Sequence, residues 1–148
     1  IDGNVEFLPQ VLASCVQLFD LSLRDVERIC AMRLLSPLRG DGLLVCLCSV
    51  QLKAPGIFRG LVEGDDQARH QFLKYLEGLR NSGRWSSGSV ARYFGALLGF
   101  ARIAAGAGTS GDGELLKDNE RLLFGTFAMD APHRAIHIAA RSLEIQVE

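Results

Sequence analysis

Lysine is scarce in this sequence: three lysines stand against thirteen arginines. A guanidinium is planar and forked, so the positive charge suits fixed contacts to carboxylates or phosphates better than mobile point-charge steering. Neither sign of charge dominates. Sixteen basic and seventeen acidic residues leave a formal net charge of −1 and a pI near 6.3. Such a chain has no overall basic field to attract nucleic acid or anionic lipid, and neither is an expected partner. Cysteine is also sparse. Cys15, Cys30, Cys46 and Cys48 sit among Leu, Val, Ile and Ala, which reads as small buried hydrophobes in a reducing compartment, not as a secreted disulfide framework. No apolar run reaches the roughly 20 residues a membrane span needs. The longest are residues 43–50 and 96–107, and Arg102 interrupts the second. No signal peptide is visible, and no alternating β-branched run announces a strand.

The signatures of common enzymes are missing too. There is no G-x-x-x-x-G-K-S/T loop, no G-x-S-x-G elbow, and no adjacent acid pair except Asp65-Asp66, which reads as negative charge at a helix start. Cys46 and Cys48 form C-x-C, but on a helix two residues apart means about 200° around the axis, so the sulfurs cannot share a metal. His133 and His137 stand four apart without the intervening Glu of a metalloprotease, and read as an ordinary surface pair. His70 reads as solvent-facing. Residues 106–111 spell G-x-G-x-x-G, yet a helix precedes them where a nucleotide-binding turn requires a strand. No metal or cofactor is expected in this chain, and no catalytic residue is assigned.

What is present is a folding composition. The 148 residues are 48% hydrophobic, with mean hydropathy +0.16, enough for one domain with a core of its own. The expectation is a single all-α domain over residues 1–148, an irregular bundle of about six to seven helices. Because the chain opens on Ile1 rather than Met, it reads as a fragment of a longer protein. Pro9 suits a first helical position and starts a helix to Phe19. Ser22 and Asp25 are spaced as a capping box, and Leu23, Val26, Ile29, Cys30 and Leu34 make one apolar stripe behind them. Residues 43–53 are apolar on most sides and belong in the core centre. Residues 57–62 suggest a turn or two of helix. Asp65 and Asp66 open a helix whose buried face is Ala68, Phe72, Leu73, Leu76 and Leu79. In the helix from Gly88 to Ala105, Ala91, Gly95 and Gly99 form a ridge of small residues that admits a close neighbour. Residues 106–113 read as a flexible loop that sets apart two last helices, 114–124 and 132–143.

Two places draw functional attention. Arg24 and Arg28 lie one turn apart near a helix start. They are either surface partners of neighbouring acids such as Glu27 or groups aimed at an anion held elsewhere. Arg84 and Trp85 sit in a polar loop and are candidates for an interaction surface.

The stretch Leu21-Ser22-Leu23-Arg24-Asp25-Val26-Glu27-Arg28 resembles the Ser-Leu-Arg-Asp-Ile/Val-Glu-Arg segment that follows the nucleotide-binding core of KAP-family P-loop NTPases. The elements after it are similar in order: an apolar helix (43–52), then Lys53-Ala54-Pro55-Gly56-Ile57-Phe58, with a shorter Lys-to-Pro gap than the family's, then a spacer and acidic helix start (61–66). The likeness covers residues 21–79 and stops near Asn81. It implies a lid-like helical region packed on a nucleotide core, non-catalytic by itself, with ATP and Mg²⁺ held by an upstream P-loop core of the same polypeptide. It implies that Arg24 contacts nucleotide and Arg28 supports that contact, coupling nucleotide state to helix rearrangement. It further implies a bacterial, cytoplasmic protein, at the inner membrane face through the larger polypeptide, with phage exclusion as one role. The alternative left by the residues alone is a stand-alone interaction or homo-oligomerising module, its surface marked by the glycine-lined helix and Trp85.

Overall fold

A helix with no polar side has to be surrounded, and the segment from Leu43 to Val50 meets that condition in the computed structural model. Leu43, Leu44, Val45, Cys46, Leu47, Cys48 and Val50 are all 0–1% exposed. The structure describes residues 4–35, 41–81, 88–119, 123 and 132–144. Among them it is all-helical, with eight helices: α1 (Asn4–Phe19), α2 (Leu23–Leu35), α3 (Asp41–Lys53), α4 (Pro55–Val62), α5 (Asp66–Asn81), α6 (Gly88–Ala104), α7 (Ser110–Asp118) and α8 (Pro132–Glu144). The number exceeds the expected six to seven because the stretch read as a turn or two is a full helix. Pro55 stands in the first turn of α4, where a missing N–H is harmless, so only Ala54 separates α3 from α4.

Two helices organise the rest. α3 packs against α1, α2, α4 and α8, while α6 packs against α1, α5, α7 and α8. α1 and α8 therefore bridge the two centres, and α2 and α7 lie at the periphery on α3 and α6 respectively. Cys15 of α1 sits in the seam with its Sγ 3.5 Å from Tyr93 Oη on α6, and the Tyr93 hydroxyl donates to the Gly42 carbonyl at the start of α3. These contacts satisfy polar groups in an otherwise apolar interior.

Three boundaries differ from expectation. α1 begins at Asn4, not at Pro9, which stands inside the helix. Pro9 lies just past the first turn, so the ring forgoes only one backbone hydrogen bond, and its surface position gives it room. The same helix ends on Asp20 at φ +55, a left-handed conformation usually taken by Gly, with the Leu21 amide donating to the Val16 carbonyl. The expected loop at 106–113 is only half as long, residues 106–109, because α7 starts at Ser110. Thr109 accepts from the Asp112 amide and the Asp112 carboxylate accepts from the Thr109 amide, a complete capping box. Gly111 and Gly113 had masked it. α7 ends at Asp118, short of 124.

The small-residue ridge of α6 serves α7. A methyl group on Gly95 would meet Leu115, and one on Gly99 would meet Asp112 at 3.5 Å. The pair is pinned at both ends: Arg102 Nη1 lies 3.2 Å from Asp112 Oδ1, and Arg92 Nε donates to Asn119 Oδ1. α6 and α7 thus run antiparallel, and this glycine face is covered by the chain's own helix.

Candidate functional site

α2 begins as its residues dictate. The Asp25 amide donates to Ser22 Oγ at 3.1 Å and the Ser22 amide donates to Asp25 Oδ2 at 2.9 Å. That backbone donor, with Lys53 of α3 at 3.5 Å, holds the Asp25 carboxyl below the usual carboxylate range. The Asp25–Lys53 pair also joins the start of α2 to the end of α3, so the two helices lie antiparallel.

The helix is turned differently from its sequence stripe. Ile29 and Arg33 are buried and Val26 and Met32 half-buried, but Leu23 is 77% exposed and Leu34 71% exposed. At about 100° per residue, Leu23 and Leu34 are within about 20° of each other around the axis and about 16 Å apart along it. They form one flank of the apolar stripe. α3 covers the other flank, drawing Arg33 inward and leaving this one in solvent.

Glu27 is exposed beside that uncovered flank, and Arg24 and Arg28 are exposed about 80–140° further round the helix. Neither Arg24 nor Arg28 makes a hydrogen bond or ion pair with another described residue. The exposed arc of α2 therefore carries two leucines at one edge and two guanidiniums towards the other, with Glu27 between them. Its chemistry suits a surface that supplies apolar contact and anionic oxygens together. Sequence reasoning found the arginines. It missed the leucines, because periodicity shows that a stripe exists but not which flank of it a neighbour covers.

The remaining candidates separate from this face. Arg84 and Trp85 lie outside the described residues. His70 is exposed, its Nδ1 3.0 Å from the Asp66 carbonyl. His137 is not an ordinary surface residue: it is half-buried, with Nδ1 3.2 Å from the Leu61 carbonyl. Cys46 and Cys48 are both fully buried on different sides of α3. Among the described residues no three His, Cys, Asp or Glu side chains are grouped to hold a metal, and no helix is long and apolar enough to cross a membrane. No family model matches the chain, and neither a curated protein nor a solved structure similar to it was found.

Proposed function

We propose that this chain is the lid-like helical domain of a KAP-type P-loop NTPase, docking through the outer face of α2 onto a nucleotide-binding core of the same polypeptide. One observation carries the reading: Arg24 and Arg28 are exposed and unbonded to other described residues, on the same solvent-facing arc of α2 as two uncovered leucines. An arginine with a purely local role would be expected to pair with an acid of its own helix, and Glu27 is available. The segment that resembles the family is the same Ser22–Arg28 turn. α2 packs chiefly on α3, so it can shift against a neighbour with little disturbance of the core. In this reading the leucines supply docking area, Arg24 reaches the phosphates of ATP, and Arg28 supports it, so that the position of α2 follows nucleotide state.

The test is Arg24→Ala in the full-length polypeptide. ATP hydrolysis should fall by about tenfold or more, as for other arginines that neutralise a transferring phosphoryl group, while thermal stability stays unchanged because the side chain is exposed. Unaltered hydrolysis together with unaltered nucleotide affinity removes the role. The alternative is an interaction module without nucleotide, using the same leucines for a partner or a second copy. α7 already packs along the glycine ridge of α6, through Leu115 beside Gly95 and Asp112 beside Gly99.

A further inference from the structure

A second polar feature lies where the turn between α4 and α5 meets α8, on none of the residues of α2. Glu63, Gly64, Arg69, Arg134 and His137 line an open cleft of about 340 Å³, near the lower end of ligand-binding cavities. Among the described residues that line it, none has a purely hydrocarbon side chain. The turn needs glycine twice over: Gly64 has φ +74, and a methyl group there would lie 3.3 Å from the His137 ring. The ring is seated on this turn, and because the Leu61 carbonyl can only accept, the His137 Nδ1 carries hydrogen towards it. Arg69 is held as firmly. One terminal nitrogen donates to the Gly64 carbonyl at 3.3 Å and the other to Asp66 Oδ1 at 2.7 Å.

Those bonds cap the C-terminal end of α4. Arg134 brings a second guanidinium to the same cleft. Arg134 is exposed in the first turn of α8, where the positive end of the helix dipole adds to its charge. Among the described residues, two guanidiniums and an imidazole thus line the cleft, opposed there by the Glu63 carboxylate, with Asp66 paired to Arg69. Groups already fixed by other bonds lose little freedom when a ligand arrives. We propose that this cleft binds a small oxyanion of the phosphate or carboxylate type.

The probe is inorganic phosphate, with acetate as a second arm and sodium chloride at matched ionic strength as the control. Binding is followed by NMR through the His137 ring and the Gly64 amide. Saturable shifts at low-millimolar phosphate or acetate, absent with chloride, are the expected result. The stronger of the two responses identifies a tetrahedral or a planar oxyanion. Arg134→Gln should weaken binding by at least about tenfold, the loss of one charge-assisted contact. Glu63→Gln should tighten it. Both side chains are exposed, so spectra elsewhere in the chain should stay unchanged. Absence of saturation into tens of millimolar, an equal shift with chloride, or undiminished binding by Arg134→Gln overturns the proposal.

Discussion

Cys15, Cys46 and Cys48 show how far burial alone can alter a residue. Removal from water pushes the Cys15 and Cys48 thiols up to about 12 and Cys46 well above its ordinary 9.0. The unfolded chain gives up these protons near pH 9, while the folded chain keeps them. The stabilising contribution is therefore whole below about pH 9 and declines from there towards about pH 12, by about 1.4 kcal/mol per pH unit for each thiol. Tyr75, also raised by burial, acts in the same direction at higher pH. Urea unfolding measured from pH 8 to about 11 should show this decline, with a shallower slope in Cys46→Ala. A profile as flat above pH 9 as below it would show that these thiols are not sealed from solvent. That the cysteines are buried was legible from their apolar neighbours. The Cys15–Tyr93 contact was not, because the two residues lie 78 positions apart.

At the scale of the element, caps explain more than propensity does. The Ser22–Asp25 box of α2 was plain because an apolar stripe follows it. The Thr109–Asp112 box of α7 was hidden because Gly111 and Gly113 resemble a linker. Tertiary contact repairs the deficit: Gly95 and Gly99 let α7 lie close on α6, and Arg102 reaches Asp112 at 3.2 Å. α7 therefore depends on its cap. Thr109→Ala should lower global stability by ~1 kcal/mol and speed amide exchange in α7 before α6. Equal protection of α7 in the variant would mean that packing on α6 suffices without the cap.

For the whole molecule, α3 is the element around which the others close. Leu47 is fully buried, with α1, α2, α4 and α8 around its helix. Leu47→Ala should cost about 2–5 kcal/mol through lost burial and the cavity left behind, read as a lower urea midpoint at constant slope. A loss under about 1 kcal/mol would mean that the surrounding helices collapse into the space. Arg24→Ala, on the outer face of α2, should by contrast leave the isolated chain's stability within the ordinary surface range of about 0.5 kcal/mol.

Residue types and their spacing were enough to determine the all-α class, the central place of α3, the cap of α2 and the two arginines on its first turns. These depend on backbone geometry and on interactions within a few positions, which a local pattern carries. Only tertiary structure decided which flank of α2 stays in water, which helix fills the glycine ridge of α6, and that Arg69, Arg134 and His137 share one cleft. Each of those outcomes depends on which distant surface wins the contest for burial, a choice made among segments that no local period relates.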